Sequence, residues 1–135
     1  MSVVKSKRSK SKIEFEMIYF KLADGVDNLV SQGFYAENAI LQNNKWFANA
    51  RFQALQKLTD DLLYHIKIAN SIYPTCMAEL EERRLSMDKA IGICYAILTN
   101  YQRIMDRLRV PDNKYTLDIK NVVRMISSLK ASQET

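Results

Sequence analysis

Few side chains in this 135-residue chain could do chemistry, and their spacing narrows what that chemistry is. The one histidine, His65, sits beside an apolar helical stripe with Asp60 and Asp61 nearby in sequence. That placement reads as a partly buried structural imidazole rather than a base or ligand. Asp60 and Asp61 are adjacent, and adjacent helix positions diverge by about 100°, so the two carboxylates do not converge on one substrate atom. A carboxylate-bridged di-metal bundle needs Glu-x-x-His pairs, but Leu62 precedes His65 at that distance. Haem ligation by His65 with a methionine stays formally open, while the six methionines fall in apolar stripes and read more simply as core filler. Cys76 and Cys94 are eighteen residues apart; on one helix that is about 27 Å, far beyond disulfide reach. No CxxC, HxxxH, phosphate loop, nucleophile elbow or dinucleotide-binding glycine pattern occurs. The expectation is a protein with no catalytic residue, no cofactor and no metal.

Charge is more informative. Residues 1–12 hold Lys5, Lys7, Arg8, Lys10 and Lys12 with no acid, so the other 15 basic residues face all 15 acids and the whole net charge of +5 lies in this arm. Alternating with serine, the arm has only Val3 and Val4 to bury and is expected to be disordered. It serves either phosphate contact or solubility. Two further basic groups stand out. Arg83 and Arg84 lie near the start of a long apolar pattern, where Arg84 falls in the seam and calls for a partner such as Asp60, Asp61 or Glu81, or for snorkelling. Arg103, Arg107 and Arg109 lie at its end, where they complement the helix macrodipole without any ligand.

The element that carries these groups runs from Cys76 to Leu108. Met77, Leu80, Met87, Ile91, Cys94, Leu98, Tyr101, Met105 and Leu108 recur at steps of three and four, the period of one helix face. Ile93 and Ala96 fall on the opposite side, which predicts either a bundle centre or a subunit interface, with Gly92 admitting a neighbouring backbone. Comparable patterns predict helices over about 13–31, 46–72, 76–109 and 112–131, with Thr75 as a candidate cap and residues 34–45 as a short helix or packed loop. Only three Gly and two Pro argue against an all-β fold. The fold class expected is all-α, an antiparallel up-and-down four-helix bundle over 13–135.

The longest uncharged run, Ala90 to Gln102, is too short to span a bilayer, and Ile13 is followed at once by Glu14 and Glu16 rather than by a signal-peptide core. A cytoplasmic location and no membrane partner are the expectation.

At Ala69-Asn-Ser-Ile-Tyr-Pro, Glu79-Leu-Glu-Glu-Arg-Arg, Met87-Asp-Lys-Ala-Ile-Gly-Ile-Cys and Asn113-Lys-Tyr before an amphipathic helix, the sequence resembles a known group. These are the four-helix-bundle accessory proteins of diversity-generating retroelements, the accessory variability determinant group, similar in fold to the bundle proteins of ribosomal RNA intervening sequences. The likeness covers roughly residues 46–130 and lies in pattern rather than in a catalytic signature. It implies a prokaryotic or phage-encoded homo-oligomeric barrel, pentameric in that group, that binds RNA or DNA and docks a reverse transcriptase. The group is basic over its folded surface, whereas here the body is neutral and the positive charge sits in the arm.

Together these readings predict a non-enzymatic nucleic-acid-binding accessory protein. Its contacts would come from Lys5, Lys7, Arg8, Lys10, Lys12, Arg83, Arg84, Arg103, Arg107 and Arg109, and its subunit contacts from Gly92, Ile93 and Ala96. The alternative is an oligomeric helical scaffold that binds protein partners only; a helix-rich enzyme ranks third.

Overall fold

The computed structural model describes residues 15–29, 37–111 and 114–133. They form an all-α helical bundle of four packed helices plus one short one: α1 (15–29), α2 (Asn38–Asn43), α3 (Lys45–Ser71), α4 (Met77–Leu108) and α5 (Thr116–Gln133). The directions follow from cross-helix contacts. Arg51, early in α3, meets Asn100, late in α4, and Arg83, early in α4, meets Ser132 at the end of α5. Glu16 at the start of α1 pairs with Lys67 late in α3. Gly25, late in α1, lies against Asp118 in the first turn of α5. The helices therefore alternate up and down, and the end where α3 and α5 begin is also where α1 and α4 finish.

Burial of one face from each long helix accounts for the packing. Phe15, Ile18, Leu22 and Val26 of α1 share a core with Leu55, Leu62 and Ile66 of α3. Met87, Ala90, Cys94, Ile97, Tyr101, Ile104 and Leu108 of α4 and Val122, Met125 and Leu129 of α5 complete it. The α4 stripe is thus centred on Ile97 and Ile104, with Leu98 and Met105 on its flank. Met77 lies outside it and is exposed.

Local chemistry sets the boundaries. Asn44 has φ −121° and ψ 27°, which is not helical, so α2 and α3 are joined through a bend in which its backbone N–H still bonds to Ile40 and Leu41. Pro74 cannot continue α3, and Ile72 is already extended. Cys76, rather than Thr75, takes the N-cap position of α4; Thr75 instead donates from Oγ1 to Glu79 Oε1 at 2.8 Å. At the far end Arg109 adopts the left-handed conformation (φ 53°, ψ 44°), and the Val110 N–H returns to the Met105 carbonyl at 3.0 Å, which closes the helix. No helix among the described residues is long and apolar enough to cross a membrane.

Candidate nucleic-acid interface

Two pairs of residues, each four apart and so on one helix face, build the most distinctive polar site. Phe47 and Arg51 stand in the first turns of α3, and Arg103 and Arg107 in the last turns of α4. The antiparallel packing of α3 on α4 brings them to one end of the bundle. There the guanidinium carbons of Arg51, Arg103 and Arg107 lie 5.8, 5.9 and 5.8 Å from the centroid of the Phe47 ring.

Hydrogen bonds hold two of the three arginines. Asn100 is oriented by its own helix, with Nδ2 donating to the Ala96 carbonyl at 2.9 Å, so its Oδ1 is free to accept from Arg51 Nη1 at 2.7 Å. Arg107 donates from Nε to Asn44 Oδ1 at 2.8 Å, while Asn44 Nδ2 donates to the Ile40 carbonyl at 2.9 Å. The two asparagines supply neutral acceptors. They fix the arginines and leave their charge intact.

Among the described residues, no carboxylate oxygen lies within 4.0 Å of a nitrogen of these arginines. Asp106, beside Arg107 in sequence, accepts from Gln102 Nε2 at 3.2 Å instead. Magnitudes show what this arrangement costs. A cation over an aromatic face contributes about 0.5–1 kcal/mol at an exposed site. Two like charges roughly 10 Å apart repel by about 0.4–1.7 kcal/mol across effective dielectric constants of 80 to 20. Attraction to the ring and mutual repulsion are therefore similar in size, and the cluster gains little on its own. An anion placed among the guanidinium groups turns that balance favourable. Arg51 Nε is itself buried without a hydrogen-bond partner among the described residues, so only the other donors of that guanidinium are open to an anion.

Next to Phe47, Trp46 is 91% exposed. Burying a large apolar side chain is worth about 1.5–3 kcal/mol, and this indole forgoes most of it. Lys45 and Arg109 are exposed at the same end.

The structure divides the residues singled out by sequence. It brings Arg103 and Arg107 together and places Arg109 at the C-cap of the same helix. Arg83 and Arg84 stand toward the other end of α4, roughly 30 Å from Arg103 at about 1.5 Å per residue. Arg84 is exposed rather than in the seam, because the buried face turns through Ser86 and Met87 instead, and it makes no ion pair among the described residues. Lys5, Lys7, Arg8, Lys10 and Lys12 lie outside the described residues. Ile93 is half-buried and packs against the core rather than standing on a bare back face. Ala96 is half-buried as well, whereas Gly92 is exposed and a Cβ there would meet nothing within 4 Å.

Arg51 and Phe47 escape a reading of the sequence alone. Their four-residue spacing is visible there, but their significance depends on pairing the start of α3 with the end of α4. The short connector through Pro74, which sends α4 back along α3, is the signal that could have found them.

The other candidate groups do not assemble. His65 packs edge-on against Tyr64 at 5.2 Å between centroids. Cys94 is buried, and burial pushes its thiol up to about 12, whereas Cys76 is exposed. Among the described residues no group of three or more His, Cys, Asp or Glu could hold a metal ion. Comparison of the chain with family models, with curated proteins and with solved structures finds no match in any of the three.

Proposed function

We propose that this is a nucleic-acid-binding accessory protein without catalytic activity, working beside a reverse transcriptase and its template RNA in a diversity-generating retroelement. The observation that carries the nucleic-acid part is the convergence of Arg51, Arg103 and Arg107 on Phe47 with asparagine rather than carboxylate partners. Guanidinium groups fixed by neutral acceptors keep their remaining N–H donors for phosphate oxygens. The likeness of residues 46–130 to the accessory group supports the reverse transcriptase as the protein partner, and homo-oligomerisation with it.

On this reading the basic arm adds non-specific attraction and the cluster adds an ordered contact. Affinity depends steeply on salt and weakly on sequence. The test is fluorescence anisotropy of a labelled structured RNA with the full chain and with an Arg103→Gln/Arg107→Gln variant. At physiological salt the variant is expected to bind about tenfold or more weakly with its helicity kept. Equal affinity would remove the cluster from the function.

A second reading has a specific observation behind it. Met77 and Leu85, in the first turns of α4, are exposed at the end opposite the cluster. A protein-only scaffold would seat its partner there, and an RNA affinity of zero for the full chain would favour it.

A further inference from the structure

Several polar surface groups already have partners within the chain. Lys130 sits over Tyr95, with Nζ 3.0 Å from the phenol oxygen. Gln133 bonds to Asp88 and to the Arg84 carbonyl. Cys76 donates weakly toward Glu79. Trp46 is different, because the guanidinium cluster at the same end of the bundle defines the charge of whatever binds there.

We propose that the strand bound at the cluster is single-stranded, and that Trp46 stacks on one of its bases while Arg51, Arg103 and Arg107 hold the adjoining phosphates. This rests on the nucleic-acid reading above and gives it a substrate class. Three observations carry it. None of the guanidinium carbons is more than 5.9 Å from the Phe47 centroid, so any two lie within twice that distance, which suits roughly one or two backbone phosphates. Trp46 follows Lys45 and precedes Phe47 in the first turn of α3, so its indole leaves the helix about 100° round from Phe47, at the same end of the bundle as the charged patch. It is 91% exposed, with its ring open to a partner. In a duplex the bases are stacked on one another, and their faces are closed to a side chain on a helix surface. In a single strand every base has a free π-face, and an aromatic side chain next to cationic groups is the chemistry that binds it without reading its sequence.

Trp46 is the only tryptophan in the chain, so intrinsic tryptophan fluorescence reports this site alone. The full chain is titrated with a uridine homopolymer, with a blunt RNA duplex of the same length and with poly-glutamate, and a labelled copy of each RNA is followed by anisotropy. Saturable quenching by the single strand and not by the duplex is expected. Trp46→Ala should weaken single-strand binding by about tenfold and leave duplex binding unchanged, while Trp46→Phe should restore most of the loss. Equal binding of both RNAs with unchanged fluorescence, and no effect of Trp46→Ala, would overturn the stacking inference and leave the cluster reading standing. Quenching by poly-glutamate as strong as by RNA would overturn it in favour of an acidic protein partner. No binding of either RNA would overturn both readings.

Discussion

Asn100 offers Arg51 an amide oxygen at 2.7 Å where an aspartate would offer a carboxylate. The amide cannot turn round, because its nitrogen is committed to the Ala96 carbonyl. Arg51 is consequently anchored without being neutralised. That distinction decides whether the cluster is a structural ion pair or a site for an external anion.

Asn100→Asp tests the distinction directly. The carboxylate takes up the Arg51 charge, and RNA affinity is expected to fall about fivefold, the worth of roughly 1 kcal/mol for one charge pair near water. Asn100→Leu, which leaves Arg51 without its buried acceptor, should cost about 1–3 kcal/mol in chemical denaturation. Unchanged RNA binding by the aspartate variant would mean that the Arg51 charge is not used.

The two helical glycines among the described residues, Gly25 and Gly92, should respond in opposite ways to alanine. In an open helical position Ala is more favourable than Gly by about 0.5–1 kcal/mol. Gly92, where a new Cβ meets nothing within 4 Å, should gain that amount. At Gly25 the new Cβ would meet the Asp118 carboxylate, whose Cγ is only 2.9 Å away, so Gly25→Ala should destabilise despite its better propensity. If α4 meets another subunit through Gly92, Ile93 and Ala96, Gly92→Ala lowers the assembly size seen by light scattering. A stabilised variant of unchanged size would put the subunit contact elsewhere.

Asp118 gives a pH dependence with a definite sign. Burial raises its pKa above the ordinary 3.8, against the helix dipole that favours an acid in a first turn. Below the ordinary value the carboxyl is protonated in both folded and unfolded chains, and no penalty applies. As pH rises past that value the unfolded chain releases its proton first, so stability is lost until the folded pKa is passed. Relative to wild type, Asp118→Asn should therefore be more stable at neutral pH than at about pH 3. Parallel stability profiles for the two proteins would show that the carboxylate is already solvated.

The cysteines should be distinguishable by alkylation. Cys94 is fully buried with its thiol pushed up to about 12, and Cys76 is exposed. A maleimide at neutral pH should label Cys76 in the folded protein and reach Cys94 only on unfolding. Rapid labelling of both would mean that the α4 core opens readily.

The all-α bundle is legible in the sequence because its cause is local: apolar residues at helical spacing, few glycines, and Pro74 as a hard stop. The buried face of α4 is less so at its start. Periodicity puts Met77 and Arg84 in the seam, but nine residues of α4 precede its first buried residue, Ser86, and early residues have little core to face. Ile93, half-buried against the core, fits the bundle-centre alternative for a related reason. A helix with neighbours on both sides buries a wider arc than one stripe. Arg103 and Arg107 are legible as helix-end charges, but the cluster is not. It needs Arg51 and Phe47 from a helix whose register against α4 is set by tertiary packing, which no single window of sequence contains.

The slope of log affinity against log salt for a single-stranded RNA bears most directly on a nucleic-acid site in the folded bundle. It should be taken on the full chain, on a full-length variant with Lys5, Lys7, Arg8, Lys10 and Lys12 changed to glutamine, and on the Arg103→Gln/Arg107→Gln variant. Each phosphate neutralised on a single strand contributes about 0.7 to the slope. The arm variant is expected to keep measurable binding, and the double arginine variant to give a slope shallower by about 0.7–1.4, for one or two phosphates no longer held. A double variant with the wild-type slope, or an arm variant with no binding at all, would contradict a nucleic-acid site on the folded bundle.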